Sequence, residues 1–219
     1  MAKPVYAFEE ADSKKRMLLG GKGAGLSEMT RLKLPVPPGF IITTEVCNKY
    51  YDNNKKLPKD LMSAVMKNIT KMEKKTGKKW NSTKNPLLVS VRSGAAISMP
   101  GMMDTILNLG LNEKTVEGFA EQTKNPRFSW DSYRRFIQLF GKVVFGVNDE
   151  KFDHVLDDAK EKQGVTDDSK LSVESLKSIV SKYKKICEEH TKRKFPDTPN
   201  EQLVLSIEAV FKSWMGERA

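Results

Sequence analysis

Three stretches of the chain combine side chains and spacings suited to gripping phosphate. The first, Gly20-Gly21-Lys22-Gly23-Ala24-Gly25, sets one lysine among four glycines. Glycine admits positive φ and lets backbone approach a ligand closely. A helix start directly after such a run offers free N–H groups and a favourable dipole to an anion, and Lys22 meets a phosphate as a point charge. The spacing matches neither the P-loop, which wants GK followed by Ser or Thr, nor GxGxxG, so a flexible turn with a solvated lysine stands beside the phosphate reading. The second stretch is Arg92-Ser93-Gly94, at the end of the apolar run LLVSVR. A guanidinium beside a glycine turn can take two phosphate oxygens in a bidentate fork; it can equally be structural, paired with a carboxylate such as Asp104. The third is Ser98-Met99-Pro100-Gly101-Met102-Met103-Asp104-Thr105. With Gly94 and Gly101 to move and methionines to adapt to a flat apolar surface, it is material for a lid over a ligand, or for a loop packed on the core.

Other chemistries lack their residues. No Ser/His/Asp or Cys/His arrangement can be placed, and no DxD or HExxH metal pattern occurs. His154 and His190 stand in charged surroundings and read as solvated helix positions. Cys47 and Cys187 are solitary and far apart, which argues against a zinc or CxxC redox site and for free thiols in a reducing compartment.

The 219 residues carry a net charge of +10, all of it in the first half: residues 1–110 hold 19 Lys and Arg against 9 Asp and Glu, whereas 111–219 hold 19 against 19. A basic half attracts phosphates, nucleic acid or an acidic surface, although Lys67, Lys71, Lys74, Lys75, Lys78 and Lys79 also read as the solvated side of a helix. Aromatics do not interleave with these cations as in single-strand nucleic-acid binders. No apolar run reaches the ~18–20 residues of a membrane span, and MAKPVYAFEEADSKK shows no secretory signal. A cytoplasmic protein is expected.

The elements that must position these residues follow from periodicity. Leu26, Met29 and Leu32 predict an amphipathic helix after the glycines, stopping before Pro35. VPPGFIITT leads into a short strand, and Thr43 or Thr44 caps a helix through Tyr50-Tyr51. Residues 59–77 are predicted helical, with Leu61, Val65, Ile69 and Met72 on one stripe and Gly77 at the end. LLVSVR (87–92) and TILNLGL (105–111) read as strands. From about Glu113 only helical patterns follow, with stripes through Phe136, Leu139, Phe140, Val143 and Val144, through Val173, Leu176, Val180 and Tyr183, and through Leu203, Ile207, Val210, Phe211 and Trp214.

GGKGAGLSEM, LPVPPGFIITT and SVRSGAAISMPGMMDTILNLGLN, in that order and spacing, resemble the opening of the pyruvate phosphate dikinase family. WDSYRRFIQLFGKVVFGV and AVFKSW extend the likeness over essentially the whole chain. Phosphoenolpyruvate synthases and glucan-water dikinases share the GGK loop and a VRSS-type strand, but SMPGMMDT is similar to the phosphate-dependent dikinases specifically.

The resemblance implies an α/β (α+β) fold, an ATP-grasp-type first subdomain over 1–111 with a mixed sheet. An all-helical insertion over 112–197 and a returning helix over 198–219 complete it. It implies that Lys22 and Arg92 contact ATP phosphates, that the loop around Gly101 covers them, and that Thr105 lies near the same site, with Ser93 and Met103 as further candidates. In the family the β-phosphoryl of ATP passes to a histidine on a swivelling domain and the γ-phosphoryl to orthophosphate. The phosphohistidine then converts pyruvate to phosphoenolpyruvate, with Mg²⁺ assisting, in a homodimer. That histidine's Thr-rich segment, the second ATP-grasp subdomain and the pyruvate barrel have no counterpart here. The chain is therefore expected to supply part of an ATP site, to bind ATP weakly and to be inactive alone. The competing expectations are a water-using dikinase fragment and a non-enzymatic basic binding module.

Overall fold

The computed structural model describes residues 3–94 and 105–214. They form two compact units, one of residues 3–78, 92–94 and 207–214, the other of 79–91 and 105–206. Together they make a mixed α/β structure, mostly helical, with two small sheets.

In the first unit, β1 (Val5–Ala7) pairs antiparallel with β2 (Phe40–Ile42), placing Tyr6 opposite Ile41. Helix α1 (Arg16–Arg31) lies against this pair, and Leu19, Ala24 and Ile41 form a small core that Tyr6, Phe8, Ala11 and Leu18 partly cover. The buried face of α1 is Leu19, Gly20, Gly23, Ala24 and Ser27. This corrects the apolar stripe expected there: Met29 is 42% and Leu32 56% exposed. Small residues win the inward face because a Cβ on Gly23 would already stand 3.1 Å from the Ile41 side chain, leaving no room for a leucine. The hydroxyl of Ser27 satisfies itself by donating to the Gly23 carbonyl.

Helix α2 (Thr44–Asp52) begins after Thr43 as expected. Neither threonine caps it through its side chain: the Thr43 hydroxyl is buried without a partner, and that of Thr44 donates to the Met17 carbonyl at 2.8 Å. Helix α3 (Leu61–Thr76) buries Leu61, Val65 and Ile69 and ends at left-handed Gly77 (φ 70°), a conformation glycine adopts without a Cβ penalty. Two of its lysines are paired rather than simply solvated, Lys71 with Glu10 and Lys75 with Glu9.

In the second unit, β3 (Val89–Arg92, whose last residue belongs to the first unit) and β4 (Thr105–Leu109) form the other sheet. Five helices follow: α4 (Glu113–Thr123), α5 (Pro126–Phe145), α6 (Asp149–Gln163), α7 (Val173–Thr191) and α8 (Pro199–Ser213). Asn112 opens α4 with a capping box, accepting from the Lys114 and Thr115 amides while Thr115 Oγ1 receives the Asn112 amide. Helix α5 is central, packing on α4, α6, α7 and β4. Its buried Tyr133, Phe136 and Phe140 form tilted and edge-on ring contacts with Trp130, Phe145 and Phe195, geometries that add to simple burial. Buried Leu176, Val180 and Tyr183 of α7, and Leu203, Ile207, Val210 and Phe211 of α8, match their expected stripes. Helix α8 runs from the second unit into the first at Ile207.

Candidate phosphate-binding site

The glycine run is not a loop. Helix α1 starts at Arg16, breaks at Gly20 (φ 72°, ψ 163°) and continues from Gly21, so Gly21, Lys22, Gly23 and Gly25 are themselves helical. The Gly20 conformation is essentially reserved for glycine. Its reason lies in the neighbouring chain: a Cβ added to Gly20 would collide with the carbonyl oxygen of Gly94. A Cβ added to Gly94 would in turn stand 3.5 Å from Cβ of Lys22 and 3.9 Å from the Gly23 nitrogen. Two glycine backbones are thus pressed together where α1 restarts, directly beside Lys22.

This contact brings two of the expected stretches together. Arg92 is two residues from Gly94, at most about 7 Å along an extended chain. The side chains of Lys22 and Arg92 are both exposed, and among the described residues neither stands in an ion pair. The restarted helix adds the positive end of its dipole. Lys22 and the Arg92–Gly94 segment thus meet at a helix start.

Ser93 is 1% exposed and its hydroxyl accepts a hydrogen bond from Trp214 Nε1 at 2.9 Å. Thr105 opens β4 in the second unit. Gly101, Met103 and Asp104, and with them most of the SMPGMMDT stretch, lie outside the described residues. Trp214, expected only as part of a helix stripe, is the residue at this site that sequence reasoning missed. Its partner is 121 positions away, and no local pattern links them.

An open groove of about 730 Å³ runs along the same helix, lined by Ser13, Lys14, Arg16, Gly21, Gly25 and Glu28 among others. Of its two carboxylates, Asp12 and Glu28, the second is held down to about 2 by hydrogen bonds from Arg31 and then Ser13. The remaining reactive groups are elsewhere. Burial pushes the thiols of Cys47 and Cys187 up to about 11 and about 12, so both stay protonated and unreactive near neutrality. His154 and His190 are exposed on α6 and α7.

The family model of the pyruvate phosphate dikinase AMP/ATP-binding domain matches residues 16–57 and 53–219. The chain belongs to this family. The chain is 54% identical over 215 residues to the pyruvate, phosphate dikinase of Entamoeba histolytica, covering 98% of this chain and 24% of that protein. It is 50% identical to that of Clostridium symbiosum, over 100% of this chain and 25% of the relative. With pyruvate, phosphate dikinase 1, chloroplastic, of Arabidopsis thaliana it shares 46% over 99% of this chain and 23% of the relative. The chain thus spans about a quarter of the length of these curated relatives. Among its described residues no helix is long and apolar enough to cross a membrane.

Proposed function

We propose that this chain is the nucleotide-gripping part of a pyruvate phosphate dikinase, with an ATP-grasp-type first subdomain over residues 1–111, a helical insertion over 112–197 and a returning helix over 198–219. The complete enzyme would convert ATP, orthophosphate and pyruvate to AMP, pyrophosphate and phosphoenolpyruvate. The β-phosphoryl would pass through a histidine on a mobile domain, and the γ-phosphoryl would leave on orthophosphate. The buried free thiols suit a reducing, cytoplasmic setting.

The observation that carries this reading is the contact of Gly94 with the restart of α1, beside Lys22 and two residues after Arg92. Phosphoryl transfer asks little covalent chemistry of a protein and much positioning and charge neutralisation. Here Lys22 would neutralise and Arg92 would clamp the phosphate chain, and the helix start would add N–H donors. The resemblance adds Gly101, Thr105, Ser93 and Met103 as further candidate residues of the nucleotide site. Magnesium finds no group of three or more His, Cys, Asp or Glu side chains among the described residues.

Calorimetric titration with ATP tests the grip. Arg92→Ala and Lys22→Ala should each weaken binding about tenfold or more, as expected for loss of a charge-assisted hydrogen bond, with the melting temperature unchanged. Unaltered affinity in both variants would refute it. In a full-length dikinase carrying this domain, Arg92→Ala should abolish phosphorylation of the histidine. Turnover must also require orthophosphate; activity in its absence would mean a water-using relative.

A further inference from the structure

We infer that Trp214 is a positioning residue for the phosphate grip, its indole N–H holding Ser93, and with it the Arg92–Gly94 segment, against the broken turn of α1 that carries Lys22. The inference rests on the phosphate reading of Lys22 and Arg92 and adds a residue and a role to it.

Arg92 has an exposed side chain at the end of a four-residue strand. Where its backbone is held sets how far and in which direction its side chain can reach. One side of the segment is fixed by Gly94, whose carbonyl oxygen occupies the space a Cβ of Gly20 would need. Contact alone resists approach but not retreat. The Trp214–Ser93 hydrogen bond, 2.9 Å long and made to a serine 1% exposed, adds an attractive restraint on the same segment. A tryptophan is suited to this because its indole has a single donor and a rigid ring, so the bond fixes direction as well as distance.

The indole needs a fixed base, and the end of α8 has one. The Tyr51 hydroxyl donates to the Phe211 carbonyl at 2.7 Å and lies 3.3 Å from that of Lys212, satisfying acceptors that a helix C-terminus leaves open. The rings of Tyr50 and Phe211 pack at 5.4 Å, and Tyr50 is fully buried. A continuous set of contacts therefore runs from α2 through the last turn of α8 to Ser93 and Gly94, all within the first unit. None of these groups needs to touch the nucleotide.

The experiment uses the 219-residue chain, with ATP and inorganic tripolyphosphate as probes in calorimetry. Trp214→Phe keeps a ring and removes the donor; Ser93→Ala removes the acceptor with little change in volume. Each should weaken both probes about fivefold to tenfold, the scale of one hydrogen bond. The double variant should be no worse than Ser93→Ala alone, because Trp214→Phe then has no bond to Ser93 left to break. Unchanged affinity for tripolyphosphate, or losses that add in the double variant, would overturn the inference. A loss for ATP alone would do the same, since a role confined to general packing or to the base would not follow the phosphate chain. Arg92→Ala is the control: if it leaves tripolyphosphate binding intact, the grip itself is refuted, whereas a weakened Arg92→Ala beside a normal Trp214→Phe refutes only the role of Trp214.

Discussion

Gly20 shows how one residue can carry both the geometry of a helix and that of a site. Its backbone stands at φ 72°, ψ 163°, and the space beyond its Cα is filled by the Gly94 carbonyl. Gly20→Ala therefore meets two penalties: a backbone conformation costing an L-residue about 1–3 kcal/mol, and a methyl group where another backbone lies. The turn can relieve the second only by moving Gly94, and Arg92 with it. We expect a lower melting temperature together with loss of ATP affinity. Gly25→Ala is the matched control, since a Cβ there meets nothing within 4 Å, and it should leave both readouts near those of the parent chain. Equal effects of the two variants would show that the glycines matter for flexibility rather than for this contact. At this scale the sequence is legible where chemistry is intrinsic to the side chain. Lys22 and Arg92 are candidates on charge and glycine context alone, and their role is a proposal. The partnership of Trp214 with Ser93 has no such signal, because it is a property of the folded chain alone.

Elements are legible in the sequence where a stripe of large apolar side chains faces inward, as in α3, α7 and α8. Helix α1 defeated that logic. Its large residues Met29 and Leu32 face outward, and its inward face is made of Gly, Ala and Ser. Glycine has a poor helix propensity, about 1 kcal/mol below alanine, so a glycine-rich run reads as a loop; close packing against Ile41 overrides that preference. Buried polar connectors are equally silent in periodicity. Gln202 on α8 is fully buried. Its Oε1 accepts from the Gly110 amide, and its Nε2 donates to the Leu111 and Pro196 carbonyls, each at 3.0 Å. It thereby ties the turn after β4 to the approach of α8, satisfying three backbone groups that water cannot reach. Gln202→Leu preserves bulk but orphans all three, each unmade bond costing roughly 1–3 kcal/mol less what relaxation recovers. We expect a destabilisation of about 3 kcal/mol in denaturant unfolding. A change below about 1 kcal/mol would show that these groups find other partners.

For the molecule as a whole, the distribution of charge decides more than its total. Residues 3–78, which carry the glycine turn and its lysine, hold 16 Lys and Arg against 8 Asp and Glu. Some of that excess is locally neutralised, as in Lys71–Glu10, Lys75–Glu9 and Arg31–Glu28. These pairs cancel in the count, so the surplus of positive charge persists at long range. A polyanion approaching the first unit should be drawn in, and the attraction should weaken once the screening length falls from about 10 Å at 0.1 M salt to about 3 Å at 1 M. We therefore expect the affinity of the chain for ATP to drop about tenfold between 0.05 and 0.5 M sodium chloride. Tripolyphosphate should follow the same slope, and neutral adenosine should be indifferent to salt. If the proposed grip holds, the slope should be shallower in Lys22→Ala and in Arg92→Ala, because each would remove a contact cation and not merely a distant charge. A salt-independent affinity for ATP would mean that the basic half of the chain only solvates itself, and that the grip at Lys22 and Arg92 does not act through charge.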